Sequence, residues 1–242
     1  MNENQKIKFI SYGNDKFKIS RQRIKEEAES LNFFTDVEVY TEETISKLNI
    51  FKNAMKNNNF KNVFKQERGG GYWIWKPIII YEALRRSREN DIVFYADSGC
   101  TIEKTEKTIN MLKKCKDIVE NHESGTLICD QPFCEKAWTK GDIFKHFQCL
   151  QDENISHTRQ ISASAIVFRK CSLSSQIFTL FYKTAVEYPD LFSDKESLTP
   201  NFPGFKENRH DQSVLSVIAK MFNFSKEINY CQHPIKATRR RQ

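Results

Sequence analysis

The stretch Asp91-Ile-Val-Phe-Tyr-Ala-Asp97-Ser-Gly99 constrains the fold of this chain more than any other. Residues 91–95 carry a continuous apolar run, bounded by polar residues, of the kind a strand buried on both faces requires. Such strands belong to parallel sheets with helices packed on either side, which makes an α/β architecture the expectation. The run ends on a carboxylate and a glycine, at the strand end where α/β sheets bind their ligands.

The flanking sequence supplies the remaining layers. Residues 6–12 read as a first strand broken by Gly13, residues 19–31 as an amphipathic helix, and residues 36–40 as a second strand, giving a β-α-β start. Residues 42–55 read as helical, and Gly69-Gly70-Gly71 precedes Tyr72-Trp73-Ile74-Trp75-Lys76-Pro77. Pro77 suits the first turn of a helix over 78–88, where its missing N–H is not needed. Further helices are expected over 106–121, 173–188 and 211–222, with strands over 125–129 and 162–169. The segment 193–209 reads as a polar loop. Strands alternating with helices predict a mostly parallel central sheet with helices on both faces.

Composition narrows the class. At 242 residues, with 39% hydrophobic residues and 19 Phe, the chain has enough apolar surface to fold, and residues 1–242 read as one domain with a basic tail over 236–242. No apolar run approaches the ~20 residues that span a bilayer, so a cytoplasmic protein is expected. The seven Cys show neither disulfide-scaffold density nor paired zinc spacing. The net charge of +7 is interleaved with 31 acids, which disfavours a nucleic-acid partner, while the tail suggests either a frayed terminus or a peripheral membrane contact.

The candidates for chemistry lie at strand ends and helix starts. Asp97 is a diphosphate-metal ligand or a turn cap. Trp73 and Trp75 are a platform for a base or sugar, or core; Lys76 meets a phosphate or is solvated. Asp130, Gln131, Trp138, Lys140 and Asp142 combine the groups that bind sugar hydroxyls, although a surface turn and a capped helix have the same letters. Asp211 is a helix cap or a general base, and His233 a metal ligand or a structural imidazole. A Gly-Lys-Ser phosphate loop and a Gly-x-Ser-x-Gly elbow are both missing.

Four segments, Gly71-Tyr-Trp-Ile-Trp-Lys-Pro77, Tyr95-Ala-Asp-Ser-Gly99, Glu135-Lys-Ala-Trp-Thr-Lys140 and Arg209-His-Asp-Gln-Ser213, together resemble glycosyltransferases of the GT-A fold, in particular small viral and bacterial enzymes. The resemblance runs over roughly residues 6–235 and implies a GT-A-like (Rossmann-like) sheet. It implies transfer of a hexosyl or deoxyhexosyl group from a nucleoside-diphosphate sugar to a hydroxyl of a glycan or glycoconjugate. It places Ser11, Tyr12, Gly13, Trp73, Lys76, Asp97 and Gln212 at the nucleotide or donor, and Gln131, Trp138, Lys140 and Asp142 at the sugar or acceptor. Asp211 and Asp130 become the catalytic acids. A divalent metal, Mn²⁺ or Mg²⁺, would rest on Asp97 and His233, with Lys236 near the diphosphate. Here the chain departs from the pattern, because position 99 is Gly where an Asp-x-Asp motif has its second acid. A nucleotidyltransferase or nucleotide-sugar hydrolase would use the same sheet, and a nucleic-acid or membrane-surface binding module is the remaining alternative.

Overall fold

The computed structural model describes residues 5–239. The chain opens with β1 (Ile7–Tyr12), α1 (Lys18–Ser30) and β2 (Asp36–Tyr40). Short helices α2 (Glu42–Lys47), α3 (Asn49–Ala54) and α4 (Asn58–Phe64) follow, then the glycine turn α5 (Gly69–Tyr72) and α6 (Trp75–Arg85). The apolar run forms β3 (Ile92–Ala96), followed by α7 (Glu106–Asn121), β4 (Thr126–Leu127), β5 (Asp130–Cys134), α8 (Glu135–Trp138), α9 (Gly141–His146) and α10 (Glu153–Ser156). Strands β6 (Arg159–Ile161) and β7 (Ala165–Arg169) lead into α11 (Ser172–Glu187) and, after a loop, α12 (Asp211–Met221).

The main sheet has the order β2-β1-β3-β7-β4. β1 pairs parallel with β2 and β3, whereas β7 is antiparallel to both β3 and β4. Four strands therefore share one direction and β7 alone runs against them. The reversal matters for the site, because β7 begins at the edge where β1 and β3 end. There the amide of Asp97 donates to the carbonyl of Ser164 at 2.9 Å.

Strand alternation sorts the core into two layers. Ile10, Tyr12, Val93, Tyr95, Ile166 and Phe168 face one side, packed with Ile78 and Ile79 of α6, Phe178 and Phe181 of α11, and Val214 and Ile218 of α12. Phe9, Ile92, Phe94, Ala96 and Val167 face the other, against Ile24 and Ala28 of α1 and Leu112 and Cys115 of α7. Helices thus cover both faces, as the two-sided apolar run of β3 demands.

Several local expectations change. Asp130 and Gln131, for which a surface turn was one reading, belong to β5, which pairs with β6 in a separate two-stranded sheet. A proline and a polar pattern hid this strand, since Pro132 is tolerated only on such an edge. The helical stretch 42–55 is two helices broken at Leu48, whose extended backbone (ψ 130°) interrupts the turn. The basic tail is not wholly frayed: Lys236 bridges to Thr101, and Thr238 donates to the carbonyl of Gly99 at 3.2 Å. Residues 240–242 of that tail lie outside the described residues. Among the described residues, no helix is long and apolar enough to cross a membrane.

Phe94, fully buried at the centre of the sheet, carries the second core layer. Phe94→Ala should lower unfolding stability by about 3–5 kcal/mol, read as a fall in the urea midpoint at unchanged slope.

Candidate active site

The centre of the site is a buried ammonium. Lys76 lies in the first turn of α6 with only 2% of its side chain exposed, and a charge so placed must be paired. Its Nζ sits 3.1 Å from Oδ1 of Asp97, touches Oδ2 of Asp211, and donates to the carbonyl of Ala163 at 3.0 Å. Burial pulls the ammonium down, but the two carboxylates outweigh it and hold its pKa above the ordinary range. The hydroxyl of Tyr95 donates to the same Asp97 oxygen. Tyr95 precedes Asp97 by two residues, so both project from the same side of the strand.

The two acids differ in exposure. Asp97 leaves 29% of its side chain accessible, whereas Asp211 leaves 6%. Desolvation therefore raises the Asp211 pKa to about 6, with Lys76 opposing and Asp97 adding to the rise. Asp211 opens α12 directly after His210, which sits in the left-handed region at φ 53°. A non-glycine residue holds that conformation only when its surroundings fix it. They do: His210 stacks on Tyr72 at 4.9 Å, and its Nε2 bonds Asp194 at 2.9 Å. Asp194 in turn pairs with Arg68 at 3.2 Å.

Beside Asp211, the side chain of Gln212 donates to Gln160 at 2.7 Å and accepts from Gln131 at 3.3 Å. Gln160 is fully buried and donates to Glu135 at 3.2 Å. Glu135 is also fully buried, and Thr139, Ser216 and Lys220 satisfy it. This network fixes Gln212 from behind.

The glycine turn sets the approach of Lys76. Gly69, Gly70 and Gly71 all have positive φ, and a Cβ at Gly71 would meet the backbone oxygen of Phe64 at 2.5 Å. The closely packed turn aims Trp75 at Tyr12, with ring centroids 4.1 Å apart, and lets the Trp75 indole donate to the Gly69 carbonyl at 3.1 Å.

The residues expected from sequence divide accordingly. Lys76, Asp97, Asp211, Gln212 and Gln131 come together by contact. Ser11 and Tyr12 end β1 as buried residues, and Gly13 follows them next to the turn after β3, where a Cβ on it would sit 3.3 Å from the Ser98 hydroxyl. Ser11 itself is wholly buried. Trp73 leans on His210 at 5.4 Å and packs against the core, so the stacking partner of Tyr12 is Trp75 instead. Asp130 lies on β5 with its carboxylate 3.8 Å from Arg159. Trp138 carries the guanidinium of Arg209 at 4.0 Å.

Two expectations are corrected outright. Lys140 is buried and donates to the carbonyls of Asp190, Ser193 and Lys195, and desolvation lowers its pKa to about 8. Asp142 accepts from the amides of Leu198 and Thr199 at 2.9 and 2.7 Å. Both anchor the loop before α12 through its backbone groups. Tyr95, Gln160 and Arg209 were missed from sequence. The i, i+2 spacing of Tyr95 and Asp97 was the one available signal.

The residues fit a divalent metal poorly. One oxygen of Asp97, Oδ1, is taken up by Lys76 and Tyr95, position 99 is Gly, and among the described residues no three His, Cys, Asp or Glu side chains converge. His233 offers a donor: burial lowers its pKa to about 4, and its Nε2 is buried without a hydrogen-bond partner. One imidazole does not make a site.

The two glycines can be told apart experimentally. Gly71→Ala should lower stability by about 2–4 kcal/mol, since it combines a disfavoured φ with overpacking. Gly99→Ala should stay within about 0.5 kcal/mol, because among the described residues its Cβ would meet nothing nearer than Arg239, at 3.5 Å. Denaturant melts of both variants check this.

No protein-family model matches the chain, and no curated protein matches it by sequence. Solved structures do. Mouse xyloside xylosyltransferase 1 aligns over 94% of this chain and 85% of its own, with a TM-score of 0.50 at 8% identity. A glycosyltransferase involved in glycosylating the major capsid of PBCV-1 aligns over 76% and 68%, with a TM-score of 0.39 at 15% identity. The galactosyltransferase LgtC aligns over 89% and 70%, with a TM-score of 0.40 at 11% identity. The likeness to the mouse enzyme, spanning nearly the whole of both chains, gives this protein the GT-A glycosyltransferase fold.

Proposed function

We propose that the protein transfers a sugar from a nucleoside-diphosphate donor to a hydroxyl of a glycan or glycoconjugate. The observation that carries this reading is the placement of Asp97 and Asp211 on either side of Lys76, both in contact with it, at the edge of the GT-A sheet where β1 and β3 end and β7 begins. In such sheets the crevice beyond the strand ends holds the ligand. The nucleotide lies between the turns 12–14 and 97–99, next to the stacked Tyr12 and Trp75. Asp97, the more exposed acid, meets the donor's hydroxyls.

In the reaction the acceptor oxygen bonds to the anomeric carbon, the bond from that carbon to the diphosphate oxygen breaks, and the acceptor's proton must leave. With inversion, Asp211 takes that proton; with retention, its carboxylate holds the sugar. Both roles need the ionised form, and a pKa of about 6 keeps Asp211 close to the working range of a general base.

The pH dependence follows in sign. The rate should rise as pH increases through about 6. Stability should move the other way: with a folded pKa above the ~3.9 of an unfolded Asp, the contribution of Asp211 is fully present below that value and lost as pH rises through about 6. Asp211→Asn should abolish transfer and flatten both trends, read by comparing initial rates and melting temperatures with the wild type. A variant that keeps full activity contradicts the assigned role.

The function itself is tested with UDP-, GDP- and dTDP-sugars. One donor should raise the melting temperature by mass action and release nucleoside diphosphate only when an acceptor is added. Release of pyrophosphate would indicate a nucleotidyltransferase, and release without acceptor a hydrolase. No shift with any donor would contradict the proposal.

A further inference from the structure

A sugar-nucleotide diphosphate brings at least two negative charges to the crevice, and a positive group must balance the charge that develops as it departs. A divalent cation does this where carboxylates converge, because hard cations are held by oxygen ligands and by their charge. Between Asp97 and Asp211 that place is filled. The Lys76 ammonium donates to the Ala163 carbonyl and lies against one carboxylate oxygen of Asp97 and one of Asp211. The side chain is almost fully enclosed and rises from a buried first turn, so it is part of the packed core and does not swing in from solvent.

The surroundings agree. Where a second acid would project, at Gly99, the backbone of Arg239 passes instead, its Cα 3.5 Å from the position a Cβ would take. Arg239 thus stands over the Asp97-Ser98-Gly99 turn. Arg209, two residues before Asp211, is held by Trp138 at 4.0 Å and Phe133 at 5.3 Å, with Glu207 at 3.6 Å. Burial is the first cause that lowers the Arg209 pKa, Glu207 opposes it, and the charges of Arg239 and Arg68 lower it further by repulsion. An anion entering between Arg209 and Arg239 relieves that repulsion.

We infer that the cation of this centre is built into the chain: the Lys76 ammonium holds the place between Asp97 and Asp211 that a divalent metal would take, and Arg209 and Arg239 meet the donor diphosphate. The inference rests on the donor assignment made under Proposed function. One ammonium against two carboxylates leaves a single net negative charge, while the carboxylate oxygens facing each other are already occupied. The centre therefore has little to offer Mn²⁺ or Mg²⁺. Lys76 is a positioning residue, because it is sealed from the crevice and acts through the acids it aligns.

Two arms on the whole protein test this. In the first, nucleoside-diphosphate binding and its release from the donor are measured in Mn²⁺ and in EDTA. The built-in cation predicts agreement within about twofold, whereas loss of a working metal would lower the rate on the order of a hundredfold or more. In the second, Mn²⁺ is added without nucleotide and the melting temperature is followed. The wild type should not respond, and Lys76→Ala, which leaves two facing carboxylates and the room between them, should be stabilised by the metal. If that variant does not fold, the wild-type measurements decide alone. Donor binding that needs Mn²⁺, or a wild-type melting temperature raised by Mn²⁺, overturns the inference while leaving the transferase reading intact. Failure of every donor to bind under both conditions sinks the transferase reading, and the response of the nucleotide-free protein to Mn²⁺ still decides the question of the built-in cation.

Discussion

An ammonium sealed between two carboxylates ties together three segments that lie far apart in the chain. Lys76 comes from α6, Asp97 from the end of β3 and Asp211 from the start of α12. Removing one partner of such a group strands the others in a dry interior, at a penalty of about 3–5 kcal/mol. Charge pairing and packing therefore specify the same arrangement. The helix bearing Lys76 must enter at one height above the sheet, and the glycine turn before it exists to permit that entry. Gly71 lies against the backbone of Phe64 because any side chain there would push α6 away.

The remaining architecture delivers groups to this centre from behind. β7 runs against its neighbours, so its leading end, carrying the Ala163 carbonyl, reaches the edge that β1 and β3 reach with their trailing ends. The loop before α12 is fastened at both sides, by Lys140 and Asp142 on one and by Asp194, His210 and Tyr72 on the other. That fastening explains how His210 keeps a left-handed backbone immediately before Asp211. Behind Gln212, the buried Glu135 network fixes an amide that would otherwise rotate.

The core was largely legible in the sequence. The run 91–95 announced a doubly covered strand, and the alternation of apolar stretches around it gave the helices on both faces. The site was legible in part. Asp97 and Asp211 stood out because α/β folds bind their ligands at strand ends and helix starts, but nothing local said that a lysine 21 residues before Asp97 would lie between them. A lone Lys before a proline carries no mark of burial. Lys140 and Asp142 misled for the converse reason: their letters suit a sugar, yet their partners are backbone groups of a loop 50–60 residues away, which no local pattern encodes. Strand β5 escaped because Pro132 and a polar sequence describe an edge strand and a turn equally well.

Placing the positive charge inside the chain has a chemical consequence. On that inference the ammonium is preorganised and keeps the two acids aligned without waiting for a metal to bind. The most direct test is a crystal structure grown with Mn²⁺ and nucleoside diphosphate, with diffraction recorded at the manganese absorption edge. The account predicts nucleotide density between the turns 12–14 and 97–99, with Lys76 still in contact with both carboxylates and no anomalous peak between Asp97 and Asp211. An anomalous peak at that point, or a nucleotide bound away from that edge of the sheet, would contradict it.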